Sequence, residues 1–302
     1  MKKMIEDINR LRKERNAIIL AHNYVLPEVQ DIADFVGDSL ELSIKARDAQ
    51  ADVIVFCGVQ FMAETAKILS PERVVLHPNP DAGCPMADMA DAARVRALKA
   101  QHPDAALICY VNSTAEVKAE VDICCTSANV EKIVGLFPPD QKIIFLPDKN
   151  LGANIANTLG RKMLLWPGFC PTHHRLTPEM LIAARAKAPD AVVLVHPECP
   201  VEVVAEADHA LSTGGILRFV QESTAKRFII GTEQGILHRL RKENPDKEFI
   251  EPENPMICPN MKKITLPDVH NALQNMVYRV EMSDELMARA RIPIVRMLEQ
   301  KL

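Results

Sequence analysis

Ala17-Ile-Ile-Leu-Ala-His22-Asn-Tyr24 returns along the chain as Ala105-Ala-Leu-Ile-Cys-Tyr110-Val-Asn112 and again as Ala191-Val-Val-Leu-Val-His196-Pro-Glu198. Each is a short apolar run that breaks into polar residues, the pattern of a strand buried on both faces of a parallel sheet. A helical stretch follows each, then a second strand (Val53 to Cys57, Lys142 to Leu146, Arg227 to Gly231), another helix, and a short apolar run before a cysteine. Alternating strand and helix predicts an α/β fold with parallel sheets covered on both faces. Counted from His22, Tyr110 and His196, the closing cysteines Cys84, Cys170 and Cys258 lie 62, 60 and 62 residues on, and each precedes a proline. Three agreeing distances predict a triplicated unit, with boundaries at 1–85, 86–171 and 172–259 and a C-terminal helical tail over 260–302. Leu286, Ala290, Ile294 and Leu298 give that tail an apolar stripe at four-residue spacing, the mark of a closing amphipathic helix.

From the same origins a hydroxyl-bearing loop recurs 17 residues on, at Ser39, Ser127 and Thr213, each before a helical pattern and the last preceded by Ser212. Helix starts carry free N–H groups and partial positive charge, so these loops are expected to hold carboxylate or phosphate oxygens. Taken singly, each is an ordinary N-cap. The strand ends form a second matched set. His22, Tyr110 and His196 share one position, and Tyr24, Asn112 and Glu198 share the position two further on, which points the same way on an extended chain. Six polar side chains are therefore expected to face one centre, with Glu198 as acid-base candidate and two imidazoles and two phenols beside it.

Composition narrows the class. The chain has 302 residues, 25% of them charged and 48% apolar, with a formal net charge of −4. No broad basic surface is available for nucleic acid. The first sixteen residues are dense in Lys, Arg and Glu, and no apolar run is long enough for a signal core or a membrane span, so a cytosolic protein is expected. Thiols in the cytosol stay reduced, and eight cysteines there point to metal binding, catalysis or plain burial rather than to disulfides.

Packing three repeats about a common axis would bring Cys84, Cys170 and Cys258 together. Loops beyond the carboxyl ends of parallel strands are where ligands gather, and proline after cysteine stiffens a ligand loop and removes one competing amide. Three thiolates without a fourth suit a 4Fe-4S cluster with one open iron acting as a Lewis acid. Zinc held by three cysteines and a histidine stays open. Cys57, Cys109, Cys124, Cys125 and Cys199 fall in or beside apolar runs and read as small buried hydrophobes. In Cys170-Pro-Thr-His-His only one of His173 and His174 is expected to reach the site, because neighbours on an extended stretch point oppositely.

Together Ala21-His-Asn-Tyr24, Gly37-Asp-Ser39, Tyr110-Val-Asn112, Cys170-Pro-Thr-His-His, His196-Pro-Glu-Cys199 and Cys258-Pro-Asn-Met resemble the quinolinate synthase family over nearly the full length. The resemblance implies three α/β/α sandwich units around a pseudo-threefold axis, each giving one cysteine to a 4Fe-4S cluster. It also implies condensation of iminosuccinate with dihydroxyacetone phosphate to quinolinate, phosphate and water, with a handover from an iminosuccinate-producing enzyme. Carried over residue by residue, it implies Cys84, Cys170 and Cys258 as ligands. It implies substrate contacts from His22, Ser39, Tyr110, Val111, Asn112, Ser127, His173, His196, Pro197, Glu198, Ser212 and Thr213, and catalytic work by Glu198, Tyr24, His22, His196 and Tyr110. A clustered Cys-x-x-Cys-x-x-Cys of some relatives is absent here, so no redox switch is expected at Cys258. The rival classes are a cluster-dependent hydro-lyase on another small acid, a non-catalytic iron-sulfur sensor, and a metal-free enzyme with Cys170 as nucleophile.

Overall fold

Twelve strands form three four-stranded sheets, every pairing between named strands parallel, in a computed structural model that describes residues 1–302. The first sheet holds β1 (Ala17–His22), β2 (Phe35–Gly37), β3 (Val53–Cys57) and β4 (Val74–Leu76). The second holds β5 (Ala106–Tyr110), β6 (Ile123–Cys125), β7 (Ile143–Leu146) and β8 (Leu164–Leu165), and the third β9 (Val192–Val195), β10 (His209–Ala210), β11 (Arg227–Gly231) and β12 (Glu248–Ile250). The strand orders are β2-β1-β3-β4, β6-β5-β7-β8 and β10-β9-β11-β12, one topology used three times. In each sheet the direction of winding reverses beside the first strand, and a crevice opens there at the strand's carboxyl end.

The expected strands β1, β5 and β9 are central and almost wholly buried, as their apolar runs require. The short strands β2, β6 and β10 were not foreseen, because two or three residues are too few to show a period. A further repeat marks their position. Asp34, Asp122 and Asp208 each accept a hydrogen bond from an amide of the neighbouring central strand, from Ile19 (2.8 Å), Leu107 (2.8 Å) and Val193 (2.7 Å). Each lies 12 residues beyond His22, Tyr110 and His196 in turn.

The third sheet divides its two faces by strand alternation. Leu194, Phe228 and Ile230 join the large core shared with the other sheets, while Val193, Val195 and Ile229 build a smaller core with Leu176 and Val203. The C-terminal stretch packs away from the third sheet. Helix Leu266–Asn275 lies against the N-terminal helix Lys2–Glu14, and helix Asp284–Glu299 covers β6 and the helices Gln60–Leu69 and Ala115–Lys118. Its buried stripe is Met287, Ala290, Pro293, Ile294 and Met297, so Leu286 and Leu298 of the expected stripe are only half-buried at its margin. Arg291 donates to the carbonyls of Ile68 and Leu69 and Arg296 to that of Asp122, tying the first sheet's layer to the second. No helix is long and apolar enough to cross a membrane.

Candidate active site

The carboxyl ends of β1, β5 and β9 open into one cavity, and all six matched strand-end residues line it: His22, Tyr24, Tyr110, Asn112, His196 and Glu198. His22 and His196 are held alike. The Nδ1 of His22 accepts from the amide of Tyr24 and that of His196 from the amide of Glu198, both at 3.2 Å. That acceptor role places the ring proton on Nε2, which for His196 faces the Ser127 hydroxyl at 3.2 Å. Burial above all, helped by His196 at His22 and by His173 at His196, pushes both rings down to about 3, so both are neutral at physiological pH.

Glu198 is the buried charge at the centre. Its Oε1 accepts from the Tyr110 hydroxyl at 2.5 Å and its Oε2 lies 2.7 Å from His173 Nδ1. Burial opposes ionisation, but the hydrogen bonds from His173 and the Tyr110 hydroxyl outweigh it and hold the carboxyl well below the usual range. Burial raises the Tyr24 and Tyr110 phenols well above their ordinary value, so both keep their protons.

A chain of hydrogen bonds leads into that carboxylate. With His173 Nδ1 donating to Glu198, its Nε2 accepts from Thr232 at 2.8 Å. Thr232 then accepts from Tyr24 at 2.8 Å, and Tyr24 from Thr213 at 2.7 Å. Every proton in the series points toward Glu198. Thr232 carries no sequence signal, since it follows a strand like many threonines and works from behind the cavity wall.

His173 reaches the centre and His174 does not, as expected, but for a different reason. The residues form a helical turn, Pro171–His174, in which His174 swings to Phe169 and Asn150. The hydroxyl loops need a larger correction. The helix caps are Asp38, which accepts from Leu40 and Glu41, and Ser212, which accepts from Gly215. Asp38 Oδ2 also takes the amide of Gly214 at 3.3 Å, where a Cβ would come within 2.6 Å of it. These helix-end amides are thus already engaged. What faces the cavity is the side chains of Ser39, Ser127 and Thr213, one residue beyond the cap in the first and third repeats. Val111, Pro197 and Ser212 do not line it: Val111 is buried behind it, Pro197 offers its carbonyl to Asn154, and Ser212 is the cap. Arg175, Thr172, Asn260 and Glu233 line the cavity without having been anticipated.

Cys84, Cys170 and Cys258 open onto the same cavity, and no other cysteine does. The remaining five are buried. The sulfurs share one setting: against burial, the nearby amides of Met86 and Ala87 favour the thiolate at Cys84, that of His173 at Cys170, and those of Asn260 and Met261 at Cys258. Each Cys-Pro turn therefore keeps amides two or three residues on near its sulfur, in the way N–H groups surround metal-bound thiolates. Burial pushes the Cys84 thiol up to about 12 and raises the other two, so binding a cation here displaces protons. Cys170, His173 and Glu198 also bring donor atoms within 4.8 Å of one another, a set able to hold a metal.

The family model for quinolinate synthetase A protein matches residues 6–299. The chain belongs to that family. Relatives named quinolinate synthase include one from Desulforudis audaxviator, 51% identical over 98% of this chain and 97% of its own. Another, from Geobacter metallireducens, is 52% identical over 97% of this chain and 96% of its own. One from Methanoregula boonei is 54% identical over 97% of each. As a quinolinate synthetase A family member, the chain thus combines full-length kinship with three repeats that converge on one polar, thiol-bearing cavity.

Proposed function

We propose that this protein is a cytosolic quinolinate synthase that condenses iminosuccinate with dihydroxyacetone phosphate to quinolinate, phosphate and water. In this reading the repeats 1–85, 86–171 and 172–259 surround a pseudo-threefold axis, and Cys84, Cys170 and Cys258 bind a 4Fe-4S cluster with one open iron. The observation that carries it is that three cysteines, one from each repeat, line one cavity without a fourth. Three thiolates complete neither a structural zinc site nor an electron-transfer cluster. When bound, such a cluster supplies Lewis acidity to a substrate oxygen.

The residues do the rest. Glu198, ionised and facing the cavity, takes protons released as the carbon skeleton forms. Tyr24, protonated, supplies a proton to an oxygen that leaves, and the series through Thr232 and His173, whose donors all point to Glu198, keeps that carboxylate ionised. His22 and His196, neutral, donate from Nε2 without adding positive charge. Ser39, Ser127 and Thr213 offer hydroxyls to the carboxylates and the phosphate, and Arg175 supplies a cation from an exposed position on the cavity wall. Held by these groups, the two substrates lose the orientational freedom that makes bond formation slow in water.

Anaerobically reconstituted protein is expected to form quinolinate from iminosuccinate only when dihydroxyacetone phosphate is present. Four irons per chain are expected, and Cys84→Ser, Cys170→Ser or Cys258→Ser should lose them. Water lost from a small acid without the triose phosphate, and no quinolinate, would point to a hydro-lyase, iron without any turnover to a sensor, and quinolinate without iron would end the cluster assignment.

A further inference from the structure

Glu233, at the cavity wall, pairs with Lys262 beside the Cys258 loop, and the chemistry above assigns neither a task. The Glu233 side chain is 1% exposed, and Lys262 Nζ approaches its Oε1 at 2.8 Å and its Oε2 at 3.0 Å. The same carboxylate accepts from the amide of Cys258 at 3.0 Å and from that of Gly235 at 2.7 Å. Lys262 in turn donates to the carbonyl of Tyr24 at 2.5 Å. The surroundings are fitted to this contact. A Cβ on Gly235 would meet the Tyr24 Cα at 2.7 Å, Glu233 Oε2 at 2.8 Å and Lys262 Nζ at 2.9 Å. Gln30 fastens the same junction, its Nε2 donating to the carbonyls of Asn23, Val25 and Gly235, each at 3.0 Å.

A buried ion pair is a poor source of stability, since desolvating two charges offsets their attraction, and its retention calls for another reason. Here both partners spend their remaining hydrogen bonds on backbone groups of two loops from different repeats. We infer that Glu233 and Lys262 are positioning residues that clamp the Cys258 loop to the Tyr24 loop, so that one sulfur and the phenol are set at a fixed separation. Neither side chain needs to touch a reacting atom to do this. The role rests on Cys258 binding the cluster and Tyr24 serving the reaction, as proposed above.

Two variants and two readouts test it. Lys262→Met keeps the length of the side chain and removes its donor, and Glu233→Gln keeps the shape and removes the charge. In metal-free protein, amide hydrogen exchange is expected to speed up at both segments, around Tyr24 and around Cys258, in either variant. In reconstituted protein the cluster is expected to bleach about tenfold faster in the presence of a ferrous chelator, and kcat to fall about tenfold, the usual size of an outer-shell effect. KM for both substrates should stay within about twofold. The double variant restores charge balance but not the bridges, so it should recover neither cluster lifetime nor kcat. Unchanged exchange at both segments in both single variants would overturn the clamp, as would recovery in the double variant. Failure of the wild-type protein to take up iron or form quinolinate would instead overturn the proposed function, and the exchange experiment would still decide the clamp.

Discussion

Glu198→Gln is expected to lower quinolinate formation by about three orders of magnitude while leaving the iron content and visible absorbance unchanged. General acid-base groups contribute about 10² to 10⁴ in rate, and this substitution also disturbs the chain that feeds the group. The glutamine oxygen can still accept from Tyr110, but its NH2 then faces His173 Nδ1, which donates to the carboxylate at 2.7 Å. Two donors meet, and His173 must change tautomer or turn away. If it moves the proton to Nε2, Thr232 can no longer donate to it at 2.8 Å, and the direction of the bonds back to Tyr24 is reversed. The defect is therefore expected in kcat more than in KM, because proton movement fails before substrate contact does. Because none of the three cysteines is altered, the cluster should persist. Turnover within tenfold of wild type in a variant with full iron content would remove Glu198 from the chemistry.

Much of this site could be read from spacing because triplication turns weak signals into agreeing ones. A single Cys-Pro dipeptide says little, as Cys199-Pro200 shows: Cys199 is fully buried and donates to the Gly231 carbonyl at 3.7 Å, well away from any ligand role. The strand-end residues were equally legible, since period-two geometry carries from the run before them into the polar pair. Contacts between repeats were not. Asp38 capping a helix of its own repeat and also holding the amide of Gly214 cannot be deduced from either loop alone. Thr232 and Glu233 follow a strand with no counterpart in the other repeats to flag them, and Lys262 lies in a tail whose one legible signal is the apolar stripe of its closing helix. Short strands such as β10, two residues long, escape any periodicity test, although the aspartate that precedes each recurs at constant spacing. The helical turn at Pro171–His174 was mistaken for an extended stretch because its four residues cannot display a helical period.

The neutral imidazoles of His22 and His196 have a cost in acid. Both are pushed from 6.5 to about 3, chiefly by burial. An unfolded chain protonates these rings as pH falls through about 6.5, whereas the folded chain resists until about 3, so in that window the unfolded state binds more protons. Stability held above pH 6.5 is consequently lost as the solution is acidified toward pH 3. At about 1.4 kcal/mol per pH unit, each ring removes about 2 kcal/mol between pH 6.5 and pH 5. Other groups titrate in the opposite sense, since burial raises the carboxyls of Asp148 and Glu233, which favours the folded state in acid. The contribution of the imidazoles is therefore isolated by difference. In metal-free protein, His22→Asn and His196→Asn are each expected to lose about 2 kcal/mol less than wild type on going from pH 7 to pH 5, measured by denaturant unfolding at both values. Asparagine can still accept from the amide two residues on, so the comparison changes the titrating group more than the local fold. Identical losses in wild type and both variants would mean that the rings are charged in the folded protein, and the assignment of neutral Nε2 donors to the cavity would fall with that result.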